Sequence, residues 1–485
     1  MDGQDTISTL FRAISKAEVQ ANLSDQLVEL RQALADCFLR FRETDITPQT
    51  SHQFECRIER IVRETARSFL QWCLGSLETK QTDSMPGTIR YRDKSYRQLS
   101  GKTQHANILT RFGNITLTRA VYRRGSRGKV IAPLEKALGI ERGATPGAVD
   151  LVGRQVAAAG SSQNRCVEVI ADRTGVQIGH EKLRKLSTML AESMEPHREA
   201  CQCEQLQKWI DQAEEHGKNI VLSVSRDGVS LGIAPFGYFE MASVATLSVF
   251  SEGKRLGTVY MAAAPEENQA TLSKQLTLLL SGIIRGRGDK LAKIVYVTDA
   301  GKVETGYWKN VLRKLYVDGC RIKIERVVDY YHASERLTII ADSLKLSTQQ
   351  RSDWLGHVRG LLLAEGGWGR VMRSITKMEE IYGVKKAALE ESEKAKRYLR
   401  RYRRFMRYAE QRGQGCPIGS GIVESACKQI VSERMKLSGM RWKRIGAQHV
   451  MSLRSILLSQ TWESTFKRML EGFSTVVALN HSAAQ

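Results

Sequence analysis

Residues 219–332 decide the fold, through NIVLSVSRDGVSLGI (219–233), MASVATLSVF (241–250), LGTVYMAAAP (256–265), KIVYVTDAG (293–301) and RIKIERVVDYYH (321–332). The first three segments are apolar, β-branched and separated by turn residues, so they read as an antiparallel three-stranded meander. An amphipathic helix is predicted over 268–284, a fourth strand over 293–301, a helix over 304–316 and a fifth strand ending at His332.

The order β-β-β-α-β-α-β followed by a helix predicts an α/β ribonuclease H-like core, a mixed five-stranded sheet with helices on its faces. Between His332 and Gly415 the pattern is wholly helical, so an all-α insertion interrupts this core, divided at Gly366-Gly367-Trp368-Gly369. The core resumes with GCPIGSGIVESACKQIVSERMKLSGMRW (415–442), a glycine-rich turn that opens a helix. Ser420 is a natural N-cap there, and Glu424 falls in the first turn, where the positive helix end favours an anion. A capped, solvated first-turn glutamate explains that stretch equally well unless partners for the carboxylate exist elsewhere.

The chain of 485 residues has 74 Lys plus Arg against 52 Asp plus Glu, a net +22. With 42% hydrophobic and 26% charged residues it is an ordinary globular composition, so the excess positive charge is the outlier, and a polyanion is its simplest partner. The first 20 residues are polar and carry acids, reading as neither signal nor transit peptide, and no 18-residue apolar run occurs. The expected location is the cytoplasm, on DNA, with no membrane partner. Nine scattered cysteines without a C-x-x-C pair read as reduced thiols, neither a disulfide framework nor a zinc site.

Upstream of the core, residues 1–80 predict amphipathic helices suited to packing or self-association, and 81–135 a basic β-hairpin around Gly113-Asn114. Residues 136–205 are helical, and 163–190 follow helix-turn-helix grammar, with His180, Lys182, Arg184 and Lys185 outward on the second helix. Residues 204–216 read as a polar connector before a core expected over 217–335. The insertion is expected over 336–415, the returning core over 416–460 and a C-terminal tail over 461–485.

The insertion's last helix is intensely basic: Lys394, Lys396, Arg397, Arg400, Arg401, Arg403, Arg404, Arg407 and Arg412 face a single acid, Glu410, for a net +8. A phosphate backbone explains such single-sign density better than a solvated face does. Tyr398, Tyr402 and Phe405 form one helical stripe there and read as core.

Asp227 lies in the first strand of the meander and Asp299 ends the fourth. These strands are neighbours in the predicted topology, so two carboxylates from distant sequence meet, and Glu424 completes the set from the later helix. Three converging carboxylates repel unless cations separate them, and hard oxygen ligands suit two Mg²⁺ or Mn²⁺ ions that act on a phosphodiester.

The segments SRDG, VTDAG, VVDYYHASERL and GSGIVESACKQIVSERMKLSGMRW resemble the motif series of bacterial insertion-sequence transposases of the Kra type, related to Mutator-like DDE transposases. The likeness spans residues 219–455 and, more thinly, 100–190. It implies that Asp227, Asp299 and Glu424 are the DDE triad and metal ligands, with Asp329 and His332 as an auxiliary Asp-x-x-His pair. A strand-to-helix cap is the competing reading of that pair. Arg441-Trp442 resembles an Arg-Trp pair that follows the glutamate in related enzymes; Lys428 and Arg434 join it as expected DNA contacts, although Trp442 also suits a core.

The implied activity is metal-dependent cleavage at the ends of an insertion sequence followed by strand transfer. It acts on double-stranded DNA, the terminal inverted repeats and the target, through a homodimer or higher homo-oligomer. Two alternatives remain open: a ribonuclease H-like structure-specific DNA nuclease, and a catalytically idle DNA-binding regulator.

Overall fold

The computed structural model describes residues 12, 14–78, 86–91, 94–216, 219–235, 238–473 and 478–479. The chain packs as two units, one of residues 1–156, 161–194 and 466–485, the other of 157–160 and 195–465.

In the first unit α1 (Lys16–Arg42) and α2 (Pro48–Ser76) form a helical hairpin. Ser15 and Glu18 cap α1 reciprocally, and Thr47 caps α2 ahead of Pro48. Phe41 stacks on Phe54 at 4.4 Å between the two helices. The strands β1 (Thr88–Tyr91), β2 (Lys94–Thr110), β3 (Gly113–Arg123) and β4 (Val130–Ile131) pair antiparallel in sequence order, and Ala478–Leu479 adds to the outer edge of β1. Part of the expected C-terminal tail is therefore a strand of this sheet, and Trp462–Phe473 is a helix.

The hairpin expected around Gly113-Asn114 is present, but its loop is Arg111-Phe112. Thr110 pairs with Gly113, and the Thr110 hydroxyl closes the loop by donating to the Gly113 carbonyl at 2.7 Å and accepting from the Phe112 amide at 3.0 Å. The short helix α3 (Pro133–Ala137) and α4 (Pro146–Ala157) lead to α5 (Gln163–Thr174), which ends at Gly175 in the left-handed conformation, and then to α6 (His180–His216). Val167, Ile170, Ile178, Leu183 and Leu186 are buried, as the helix-turn-helix pattern requires, while Val176 is half-buried.

Residues 204–216, expected as a connector, instead continue α6, whose 37 residues run through Pro196. Leu206, Trp209, Ile210 and Ala213 lie at helical spacing and are buried in the core of the second unit, which is why the segment stays helical despite its polar composition.

The second unit contains the predicted meander, β5 (Ile220–Ile233), β6 (Tyr238–Ser251) and β7 (Lys254–Ala263). It continues through α7 (Ala270–Arg287), β8 (Lys293–Thr298), α8 (Lys302–Asn310), a small ribbon of β9 (Tyr316–Val317) and β10 (Cys320–Arg321), and β11 (Glu325–Val328). The mixed sheet has the order β11-β8-β5-β6-β7, with β11, β8 and β5 parallel and β5, β6 and β7 antiparallel. Leu222, Val224 and Leu247 pack on one face with Leu276 and Leu280 of α7, while Val221, Val295 and Val327 pack on the other with the helices that follow.

Those helices are α9 (Tyr330–Ser343), α10 (Thr348–Leu362), α11 (Gly367–Tyr382), α12 (Leu389–Tyr402) and α13 (Tyr408–Gly413). The basic stretch 394–412 is thus two helices joined by a 3₁₀ turn at Arg403–Phe405, rather than one. After it come α14 (Gly421–Cys427), a π-helical stretch over Lys428–Ser432, α15 (Glu433–Met435) and α16 (Arg444–Leu458). All nine cysteines are free. No helix among the described residues is long and apolar enough to cross a membrane.

Candidate active site

Strand register aligns three aspartates. In β5 and β8 Val221 pairs with Lys293 and Val224 with Tyr296, an offset of 72 that separates Asp227 and Asp299 as well (299 − 227 = 72). In β8 and β11 Thr298 pairs with Val328, an offset of 30 shared by Asp299 and Asp329 (329 − 299 = 30). Carried past the last paired residues, the same offsets put Asp227 of β5 level with Asp299 and Asp329, which directly follow the ends of β8 and β11.

They do different things there. Asp329 is fully buried, and both its oxygens are engaged: Oδ1 accepts the His332 amide at 2.9 Å, capping α9, and Oδ2 accepts the Ser420 amide just ahead of α14. Gly419 is needed for that approach, because a Cβ there would lie 2.9 Å from the Tyr331 ring and 3.6 Å from Asp329 Oδ2. The Ser420 hydroxyl does not cap the helix backbone but donates to Glu424 Oε1 at 2.7 Å. His332 Nε2 lies 3.7 Å from the same Glu424 oxygen, and its Nδ1 lies 3.1 Å from Glu335. Asp329 thus serves as a cap that also fixes the start of the Glu424 helix.

Glu424 itself is half-exposed at the mouth of this arrangement. One turn on, the Cys427 thiol sits 3.9 Å from Asp227 Oδ2, so one face of α14 carries both side chains towards β5. Burial first, then Asp227, pushes the Cys427 thiol far up, leaving it a neutral thiol. Burial also raises the pKa of Asp227, with Asp299 and Glu424 adding repulsion against the amide of Gly228 and the ring of His332.

Asp299 opens a tight loop, its Oδ1 accepting the Gly301 amide at 2.8 Å while Ala300 takes a left-handed φ of 69°. Two tyrosines of α12 hold that loop from behind: Tyr398 Oη donates to the Asp299 carbonyl at 2.9 Å and Tyr402 Oη to that of Ala300 at 3.3 Å. The aromatic stripe is therefore packed, as its spacing predicts.

Two further groups escaped the sequence reading. Glu304, in the first turn of α8, is a fourth carboxylate at the site; burial, then Asp299, push its pKa up, offset by its own backbone amide and by Arg226. A Cβ at residue 301 would lie 2.3 Å from Glu304 Oε2 and 3.2 Å from Asp299 Oδ1, so a glycine lets these two acids share the space. Arg226 is buried on the other side of β5, over the Tyr307 ring at 4.6 Å and hydrogen-bonded to Ser273 and Gln269. The only available clue is position: Arg226 precedes Asp227, and Glu304 lies one turn into the helix after Asp299.

Among the described residues, no three His, Cys, Asp or Glu side chains stand close enough to form a ready-made metal-binding group. A cleft of about 660 Å³ opens at the opposite end of these strands, beside Asn219, Lys293 and Glu325, and four of its charged residues are paired as Lys293–Glu325 and Arg285–Asp318.

The expected DNA contacts divide by exposure. Arg397, Arg400, Arg401, Arg403, Arg404, Arg407, Lys428 and Arg441 are exposed, as is Lys394, which touches Glu390 and Glu391. Lys396 is buried against Glu379 and Glu393 and so serves the packing of α11 on α12. Arg434 is also buried, its guanidinium 5.5 Å from the Trp442 ring. Trp442 is half-buried; its indole donates to the Met435 carbonyl at 2.9 Å, and its backbone pairs with Gly232 and Ala234 beside β5. These two side chains therefore serve packing at the end of β5. In the first unit His180 and Arg184 are exposed, Lys185 reaches Glu181, and half-buried Lys182 donates to the Asn107 carbonyl.

Because folding raises the pKa of Asp227 above its ordinary 3.8, the folded chain holds that proton more tightly than the unfolded one. The ionised carboxylate therefore lowers stability, not at all below the ordinary value and fully above the raised one. Asp227→Asn is expected to raise the melting temperature by a few degrees at pH 7 without metal, the gain vanishing as pH falls through that window. Equal melting of both proteins at pH 7 would show that burial and the neighbouring acids do not disfavour the charge of this carboxylate.

No protein-family model matches this chain, and no curated protein matches it.

Proposed function

We propose that this chain is a transposase of the DDE class with a ribonuclease H-like core, cleaving DNA at the ends of a mobile element and joining the freed ends to a target. One observation carries the reading: the shared register of Asp227 and Asp299 on parallel neighbours, with Glu424 near enough to raise the pKa of Asp227. The sheet order, with three antiparallel strands followed by two parallel ones, supports the fold assignment, as does the entry of α14 after a helical insertion.

The donor set fits hard divalent cations, since Asp227, Asp299 and Glu424 are oxygen ligands whose mutual repulsion a cation relieves. Two Mg²⁺ or Mn²⁺ ions, when bound, supply charge stabilisation to a phosphodiester and lower the pKa of water. The chain's own part is to hold the geometry. Asp299 is fixed by Gly301 and by the tyrosine pair, and Glu424 is oriented by Ser420 and His332. The exposed arginines around α12 take the phosphate backbone. Asp227→Asn, Asp299→Asn and Glu424→Gln are each expected to abolish Mg²⁺-dependent strand cleavage while duplex binding persists; cleavage at the native rate by any of them removes that residue from the triad.

Tyr398→Phe deletes one hydrogen bond, of about 1 kcal/mol, from the Asp299 loop. Cleavage should fall about five-fold through kcat, with DNA affinity unchanged. An unaltered rate would mean the loop holds its shape without that bond.

Element ends must be brought together, and α1 leaves Leu27, Val28, Phe38 and Leu39 exposed while burying only Gln26 and Cys37. Self-association through this face is part of the proposal. Light scattering of Leu27→Lys/Phe38→Lys against the parent should show the assembly reduced to monomers, and unchanged mass excludes the face. A structure-specific nuclease shares these carboxylates; inverted repeats flanking the coding DNA favour the transposase, and branched-DNA selectivity without them favours the nuclease.

A further inference from the structure

The first unit contains a basic cleft whose own lining includes none of the site residues assigned above. Its volume is about 990 Å³, and Lys94, Arg124, Arg127, Lys129, Lys136 and Arg142 line it. Glu141 is the one acid among the described lining residues, and Lys136 already engages it. The other five cations have no acidic partner among the described residues, so the cleft holds concentrated, uncompensated charge. A second cleft of about 370 Å³ adjoins it, sharing Arg142, Met189 and Ser193; on α6 it is lined by Arg184, by Lys185 paired with Glu181, and by Glu192, so its charge is mixed and Arg184 is the α6 cation it adds.

Backbone features shape this surface. The loop between β3 and β4 closes on itself through the Arg124 amide and the Lys129 carbonyl at 3.1 Å. Gly128 permits that closure, because a Cβ there would collide with the Arg124 carbonyl oxygen at 1.7 Å. The result is a tight basic finger with Arg124, Arg127 and Lys129 all exposed. Across from it, Arg142 stands where both clefts meet, in a left-handed backbone conformation with φ of 53° that a non-glycine residue adopts only at some cost.

The chemistry selects the occupant. Tyr91 and Tyr96 at the cleft are buried and packed edge to face at 6.4 Å, so neither ring is offered to an unstacked base. The third aromatic at the cleft, Phe473, is half-buried, and cations on a β-loop and on a helix, around lining aromatics that are buried or half-buried, suit the phosphates of a duplex.

We propose that this cleft is a double-stranded DNA backbone site, in which the 124–129 finger and Arg142 grip phosphates and so present the exposed face of α6 to the same duplex. It deepens the proposed function, resting on that reading only for the choice of DNA as the duplex.

The test is metal-free binding of the full chain, in EDTA, to an arbitrary duplex of about 30 base pairs across a salt series. Arg124→Glu/Arg127→Glu/Lys129→Glu should weaken binding at least ten-fold near 0.1 M salt and reduce the salt slope by roughly three. Arg142→Gly, which suits the left-handed backbone, should weaken binding and reduce the slope by roughly one, with circular dichroism and melting confirming that it folds. Unchanged affinity and slope in this folded variant overturn the proposal. So does tighter binding of the parent to the corresponding single strand, or loss of binding to anionic phosphatidylserine vesicles but not to duplex in the variants. Because no metal or cleavage enters the assay, failure here leaves the carboxylate assignment standing, and active triad variants would overturn that assignment without touching the cleft.

Discussion

One buried carboxylate ties the second unit together. Asp329 lies 91 residues before Ser420 in sequence, yet its two oxygens hold the amides that begin α9 and precede α14. Charge-assisted bonds of this kind are the strong class, and a buried carboxylate deprived of one partner is costly to leave unpaired. Through this single side chain the departure and return of the helical insertion are fixed at one point of the sheet edge. The insertion then adds to the core without stretching it, since its two ends meet where Asp329 already stands. The Tyr408 hydroxyl, donating to the Val328 carbonyl at 2.8 Å, secures the same junction from the insertion's side.

That junction supports an unfavourable arrangement. Burial, then Asp299 and Glu424, raise the proton affinity of Asp227; burial, then Asp299 and Asp227, raise that of Glu304; Asp299 and Glu304 share space through Gly301, and Ala300 holds a conformation that most residues avoid. Such strain persists only where surrounding structure over-determines it. Here the surroundings are identifiable: parallel register fixes the strand ends, the tyrosines of α12 fix the Asp299 loop, and buried Arg226 supplies positive charge to Glu304. Stability is given up locally at the place where chemistry is proposed.

Much of this was legible from residue pattern. Alternating and continuous β-branched runs specify the meander, and the order of elements makes the strands of Asp227 and Asp299 neighbours. The missing parts have physical reasons. Polar composition over 204–216 conceals Leu206, Trp209, Ile210 and Ala213, whose spacing alone signals a buried helical face. Gly113-Asn114 has turn chemistry, but Thr110 closes the loop two residues earlier. Charge density around α12 cannot separate Lys396 from its neighbours, because its partner Glu379 comes from another helix. Glu304 and Cys427 are ordinary helix residues until the fold brings them beside Asp299 and Asp227.

The same helix also joins two tasks. Lys394 and Arg407 touch carboxylates only at the surface, where solvent screens such pairs and leaves them little to hold them together. Lys396, buried between two glutamates, does not yield. Exposed cations thus occupy one side of α12, while the other side carries Tyr398 and Tyr402 into the backbone of the Asp299 loop. A polyanion on the outer face would bear on the element that shapes that loop, so the proposed phosphate contact and the placement of one carboxylate share a single helix.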